Sequence, residues 1–358
     1  MSGGDAWKSE GLPKPGTTVV ARYRLDEAIA RGGMSMIYRA RDLFNDRDVV
    51  LKVLPQRLLT ARSHARFMRE ARLASLVQHE NVVVTYDAGL MEDGTPYIVM
   101  DLLEGRSLYQ RLEAEGPVPL KEAAEILCAV CSGVQAAHEK GVIHRDLKPS
   151  NIMIGEFGEV LVMDWGLAKV HDSPDFLTEG ALDPRTRPEV DSPSETLDGT
   201  VIGTPAYMPP EQAEGSLDQI DHRSDIYSLG ATLYEILTLE QAHRGDSRPE
   251  LESLIQEGAA EQALQRPCAR GLPRELVAVV RKAMAVDPAD RYARVRDLQG
   301  DLEAYLDGRT LRAATYNPLQ LLVKWFLQHR AACLSILLAL VATGTGLAIR
   351  ERSLSREE

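Results

Sequence analysis

His144-Arg145-Asp146-Leu147-Lys148-Pro149-Ser150-Asn151 is the stretch on which the reading turns, and Asp164-Trp165-Gly166 comes after it, behind the apolar run Val160–Met163. Taken alone, Asp164 reads as a turn residue between that strand and a loop. The segments on either side change the reading. Upstream, Ala30-Arg31-Gly32-Gly33-Met34-Ser35 lies between two strand-like runs, and Val49-Val50-Leu51-Lys52 sits in a third. Glu70 lies on the helix-patterned stretch Ala65–Val77. Downstream come Gly203-Thr204-Pro205-Ala206-Tyr207-Met208-Pro209-Pro210-Glu211 and Asp225-Ile226-Tyr227-Ser228-Leu229-Gly230. A Lys in a strand with a Glu on the next helix is ordinarily surface charge. Here Val49, Val50, Leu51 and Val53 flank Lys52 and turn it inward.

The rest of the chain is ordinary globular protein. Its 358 residues, 44% hydrophobic and 26% charged, exclude a disordered chain, a collagen-like fibre and a multi-span membrane protein. A net charge of −12 argues against tight non-specific nucleic-acid binding, so no nucleic-acid partner is expected. Four cysteines make no disulfide scaffold. Cys128 and Cys131 are spaced C-x-x-C without a second pair, and read as small core residues of a buried helix. Residues 1–20 lack the apolar run of a secretory leader and read as a flexible lead.

Tyr23–Ala30, Met36–Ala40, Val49–Leu54, Val82–Leu90 and Tyr97–Met100 read as strands, interrupted by the helix at Ala65–Val77. Helical periodicity then takes over at Leu120–His138, Ser224–Leu237, Arg274–Val286 and Val295–Leu306. The expected fold is α+β and bilobal. A small β-rich N-lobe with one helix, residues 21–100, precedes a larger helical C-lobe, residues 104–308, with a cleft between them.

Seven segments in this order resemble the protein kinase family, and within it the bacterial eukaryotic-like (Hanks-type) serine/threonine kinases; the resemblance covers about residues 20–308. The resemblance implies ATP and Mg²⁺ as cofactors, with Mn²⁺ an alternative, and protein Ser/Thr hydroxyls as acceptors. It also implies a role for each motif residue, since phosphoryl transfer depends on positioning and charge stabilisation. Lys52 would contact the α- and β-phosphates, held by Glu70. Asp146 would be the catalytic base and Lys148 would steady the γ-phosphate. Asn151 and Asp164 would hold the metal through hard oxygen ligands. Residues 30–35, with Ile37, would cover the nucleotide. Met100 would be the gatekeeper of the adenine pocket, and Asp101 to Leu103 the hinge. Arg145 would receive a phosphorylated residue, Asp225 would hold the backbone of the catalytic loop, and Glu211 would pair with Arg291. Thr204 and Lys148 fit the Ser/Thr pattern.

Three motifs depart from the family pattern. Ala30 and Ser35 replace its first and third glycines, Trp165 replaces Phe, and Pro209 replaces Ala. None removes a charged catalytic group. A pseudokinase would be expected to lose one of Lys52, Asp146, Asn151 or Asp164. A small-molecule kinase would lack the Pro-Pro-Glu and Asp225 elements that hold a peptide.

Residues 171–200 hold eight acidic residues, four prolines and seven Ser/Thr, and read as a mobile loop inside an enlarged activation segment, residues 164–211. Thr200 and Thr196, with Ser194, are the expected autophosphorylation sites. After a juxtamembrane segment, residues 309–330, the run 331–349 has 19 residues without a charge, bounded by Arg330 and Arg350 and preceded by Trp325 and Phe326. As a helix it reaches roughly 30 Å, so one membrane span is expected, with a short tail 350–358. The kinase domain would then be cytoplasmic, anchored single-pass at the inner cell membrane. Ala342 and Gly346 have small-x-x-x-small spacing, which would let a homodimer autophosphorylate in trans.

Overall fold

Alternation along Arg47–Val53 sets the first layer. Val49, Leu51 and Val53 are fully buried on one face, and Val50 and Lys52 take the other. In the computed structural model this strand, β4, belongs to a six-stranded antiparallel sheet. Its spatial order is β1 (Thr18–Val19), β2 (Tyr23–Arg31), β3 (Met36–Asp42), β4, β6 (Pro96–Asp101) and β5 (Thr85–Leu90). The structure describes residues 12–31, 35–165, 168–170, 204–215, 219–243, 253–255 and 258–329, with Ser335, Leu338, Ala339 and 341–346.

Tyr23, Leu25, Tyr38, Leu51 and Val99 fill the enclosed face of the sheet, joined by Leu12 from ahead of β1. The Tyr38 hydroxyl donates to the Pro13 carbonyl at 3.0 Å, so residues expected to be a flexible lead are packed from Leu12 onward.

Across the other face lies α1 (Ala61–Leu76). It begins ahead of the expected Ala65 because Thr60 caps it: Thr60 accepts from the Ser63 amide, and the Ser63 side chain returns the bond to the Thr60 amide. Phe67 and Ala71 pack with Leu54 and Ile98 of the N-lobe. Leu73, Ala74 and Val77 join the C-lobe core instead, together with Trp165. One helix therefore ties both lobes, and burying Phe67 alone contributes about 2 kcal/mol.

The strand expected from Val82 starts only at Thr85. Residues 81–83 are claimed by the C-lobe: Val83 N–H donates to Val162 O at 3.0 Å, and Val162 N–H to Asn81 O at 2.9 Å.

The C-lobe contains β7 (Gly105–Ser107), α2 (Leu108–Glu115), α3 (Leu120–Glu139), β8 (Val142–Ile143), β9 (Ile152–Gly155), β10 (Val160–Val162) and β11 (Lys169–Val170). Then come α4 (Pro210–Ala213), α5 (His222–Thr238), α6 (Ala259–Gln265), α7 (Arg274–Ala283), α8 (Val295–Leu306) and α9 (Pro318–Gln328). Strands order as β10-β9-β7 and β11-β8. Buried from Ser224 to Leu237, α5 is the axis of this lobe. Gly230 lets α7 approach it closely, since a Cβ there would sit 2.7 Å from Ala283 Cβ. The helix expected over Arg274–Val286 stops at Ala283 because the next turn serves another group: Ala285 and Val286 give their carbonyls to the Arg291 guanidinium. On α3, Cys131 is fully buried and Cys128 only half-buried.

No helix among the described residues is long and apolar enough to cross a membrane. Within 331–349 the described residues, Ser335, Leu338, Ala339 and 341–346, are helical, and the others lie outside the described residues.

Candidate active site

Strand pairing puts Lys52 opposite Ile37 on one side and Ile98 on the other, with its side chain toward the cleft. Its Nζ lies 2.5 Å from Glu70 Oε1 of α1 and 3.4 Å from Asp164 Oδ1. Burial works against the charge on Lys52, but the two carboxylates outweigh it and hold the ammonium above its ordinary range. Burial likewise favours neutral Asp164, yet Lys52, His144 and Lys148 keep it below the usual carboxylate range. The Asp164 side chain is 42% exposed, open to the cleft. Its backbone is in the left-handed region, φ +66°, which a short carboxylate side chain tolerates.

The loop from His144 to Asn151 faces that pair. Asp146 is the centre of a compact network. Its Oδ1 accepts from the Thr204 amide at 3.0 Å and hydroxyl at 2.9 Å. Its Oδ2 accepts from Lys148 Nζ at 2.7 Å and from Asn151 Nδ2 at 3.2 Å. Lys148 also donates to the Thr204 hydroxyl at 2.5 Å. With its amide nitrogen given to the Asp146 carbonyl and carboxylate, Asn151 has its amide oxygen as the atom that can face a cation. A backbone bond from Met163 N–H to Asn151 O, 3.0 Å, brings Asp164 beside it.

Asp225, completely buried at the start of α5, shapes this loop. Its two oxygens accept from the His144 and Arg145 amides at 2.9 and 2.8 Å, and His138 Nε2 lies 2.7 Å from Oδ2. Burial opposes ionisation, but His138, His144 and the amide bonds prevail and lower its pKa. These bonds hold Arg145 at φ +69°, a strained conformation for a long side chain, and Gln212 Nε2 fixes its carbonyl at 3.0 Å. Below them, Glu211 and Arg291 form a buried two-pronged pair, both contacts 2.8 Å, with Ser224 donating to Glu211. The Trp165 ring packs against His144, centroids 4.6 Å apart.

A protein kinase domain model matches residues 23–300. The chain belongs to the protein kinase family. It is 39% identical over 295 residues to the serine/threonine-protein kinase pkn3 of Myxococcus xanthus, covering 81% of this chain and 51% of that protein. It is 40% identical over 288 residues to the serine/threonine-protein kinase PknB of Mycobacterium tuberculosis, covering 78% and 42%. PknB of Mycolicibacterium smegmatis is 38% identical, covering 80% and 43%. The chain thus spans about half the length, or less, of these curated relatives.

Within this kinase domain, Met100 of β6 packs with the Phe67 cluster, and Asp101 ends that strand with its amide on Val84 O. Leu103 lies in the connection to β7. Ala30, Arg31, Ser35 and Ile37 lie at the facing ends of β2 and β3, beside Lys52. Gly32, Gly33, Met34, Thr196 and Thr200 lie outside the described residues, as does Ser194. Sequence reasoning did not single out His138 or Gln212, which support the loop from α3 and α4, because a lone His or Gln in a helix carries no local pattern. A separate cavity of about 490 Å³, lined by Asn81, Arg111, Glu122 and Ile126, belongs to the back of α3 rather than to the cleft.

Proposed function

We propose that the chain is a serine/threonine protein kinase that transfers the γ-phosphoryl group of Mg-ATP to Ser/Thr hydroxyls of proteins. The supporting observation is the pairing of the Lys52–Asp164 contact, 3.4 Å, with the Asp146–Lys148–Thr204 network across the cleft. The donor set suits the nucleotide and its cation. Among the described residues no cluster of three or more His, Cys, Asp or Glu could hold a metal. Asp164 and Asn151 alone make an incomplete site, and Mg²⁺ of that kind is completed by phosphate oxygens and water. Bound Mg-ATP supplies the phosphoryl group and neutralises part of its charge.

The chain's own groups do the rest. Glu70 holds Lys52 at the height of the phosphates. Asn151 and Lys148 orient the Asp146 carboxylate, which accepts the proton of the acceptor hydroxyl. Lys148 places positive charge beside the transferring group. Ala30, Arg31, Ser35 and Ile37 border the nucleotide, with Met100, Asp101 and Leu103 behind it. The relatives pkn3 and PknB are serine/threonine-protein kinases, and Thr204 bonded to Lys148 and Asp146 supports the same acceptor class here. The test is labelling of a generic basic protein by full-length chain with Mg-ATP, beside Asp146→Asn. Labelling by the native chain and near-background labelling by the variant is expected, and equal labelling overturns the assignment.

The same reading includes control and anchoring. Phosphorylation at Thr200, Thr196 or Ser194 would dock on Arg145 and order the activation segment. Peptide mapping after incubation with Mg-ATP should find phosphate there; an active enzyme with an unmodified segment removes the switch. Residues 331–349 would cross the inner membrane and leave the kinase domain in the cytoplasm. Two hydroxyls in that stretch support this: Thr343 donates to Ala339 O at 2.9 Å and Thr345 to Val341 O at 2.8 Å, so neither needs water. Resistance of the membrane-bound chain to alkaline extraction is the expected result, and release contradicts the span.

A further inference from the structure

Beyond the kinase domain's expected end at residue 308 the chain stays attached to the C-lobe. Leu311 is buried, and the Arg312 and Ala313 amides donate to Asp301 of α8 at 2.6 and 2.9 Å. Tyr316 donates to Glu275 of α7 at 2.6 Å and accepts from the Leu311 amide. Asn317 caps α9. From α9, Lys324 reaches back: its Nζ lies 2.5 Å from Glu275 Oε1, donates to Arg309 O at 2.7 Å and sits over the Tyr316 ring. The helix is therefore clasped to the C-lobe through one face.

Among the described residues its opposite face has no such engagement. Leu319, Leu322, Val323 and Phe326 take i, i+3, i+4, i+7 spacing and share a stripe turned away from Lys324. They are 69, 61, 49 and 55% exposed, while the Lys324 side chain is 18% exposed. Trp325, 53% exposed, flanks the stripe with its ring stacked on His329. Eleven residues make roughly 16 Å of helix, too short to cross a bilayer but able to lie in its plane. Charge selects the occupant. Between Asp307 and Glu351 the sequence has no acidic residue; Lys324, Arg309 and Arg312 pair with Glu275, Asp307 and Asp297 of the lobe, and Arg330 and Arg350 are the remaining charges of that stretch, in a chain of net charge −12.

We propose that α9 is an interfacial membrane helix, with its apolar stripe in the headgroup–acyl boundary of an anionic bilayer. Its clasped face then fixes the catalytic lobe against the lipid in one orientation, as a strut rather than a tether. This rests on the reading of 331–349 as a span, which comes after α9 with only His329 and Arg330 between them.

The test uses full-length chain reconstituted in phosphatidylglycerol–phosphatidylcholine vesicles. The fluorescence of Trp325 is isolated as the difference from Trp325→Phe. Lipids brominated near the headgroup should quench that signal about twofold, and lipids brominated at the chain ends much less. Leu322→Glu/Phe326→Glu should lose this quenching while keeping ATP-dependent labelling in detergent. A Trp325 signal untouched by bromine and open to aqueous iodide overturns the proposal. So does a signal shielded from iodide but not quenched, with chains cross-linking in pairs, since a second copy then covers the stripe. Alkaline extraction is read separately. Quenching with release keeps the interfacial helix and removes the span; retention without quenching does the reverse.

Discussion

Lys52 and Asp164 come from different lobes and meet at 3.4 Å, so each one's ionisation supports the other's. Asp164 is held below, and Lys52 above, its ordinary range, so both remain charged across neutral pH. A carboxylate with a depressed pKa contributes stability above its unfolded value, about 3.9, and loses it as pH falls through the folded value. Activity between about pH 6 and 9 should therefore show no inflection from either group. Lys52→Met and Asp164→Ala are each expected to lower kcat/KM by about a hundredfold or more with the fold intact by circular dichroism. A full-rate Asp164→Ala enzyme would remove the metal assignment. The cysteines behave differently. Burial pushes the Cys128 thiol up to about 12 and raises Cys131 well above its ordinary value, so neither offers thiolate at neutral pH. Iodoacetamide at about pH 8 should leave both unmodified in folded protein and label them in urea; fast native labelling would show that α3 opens.

Elements were legible where a pattern runs through consecutive residues. β2, β3, β4, β6, α3, α5 and α8 obey alternation or 3.6-residue periodicity, and the sequence places them within a few residues of their observed bounds. Their ends were less legible, because long-range partners set them: Val82 and Val83 bond to β10, and residues after Ala283 serve Arg291. The short strands β7, β8 and β11 carry too few residues for a period. Motif residues such as Lys52, Asp146 and Asp164 could be located from their order alone. Support from His138 and Gln212 could not, since it exists only once α3 and α4 close on the loop. Asp225 shows what that support does. Asp225→Ala would leave two buried amides unpaired and release Arg145 from φ +69°, at a cost of about 2–4 kcal/mol. A lower Tm and a larger fall in kcat than in substrate affinity are expected; unchanged kinetics would reduce Asp225 to a purely structural tie. Arg291→Ala strands a buried Glu211 carboxylate and should cost about 3–5 kcal/mol by urea denaturation. A loss under about 1 kcal/mol would show that the pair is not buried in solution.

Each lobe of the molecule has its own core, and α1 belongs to both. Between them the cleft is crossed by the polar contact of Lys52 with Asp164, and Leu73, Ala74 and Val77 join the C-lobe core that includes Trp165. A nucleotide gripped by both lobes adds a further bridge and should stabilise the whole chain. At a hundred times its Kd, a ligand that binds only the folded state adds about 2.7 kcal/mol. For a domain of this size that corresponds to a Tm rise on the order of 5 °C with Mg-ATP, measured by scanning calorimetry. Lys52→Met would remove the N-lobe's proposed grip on the phosphates, and most of the rise should vanish. Mg-AMP should give little rise in either protein, because the adenine contacts proposed at Met100, Asp101 and Leu103 would not reach across the cleft. An equal Mg-ATP shift in the native chain and Lys52→Met would place the phosphates away from Lys52 and separate the two halves of the site.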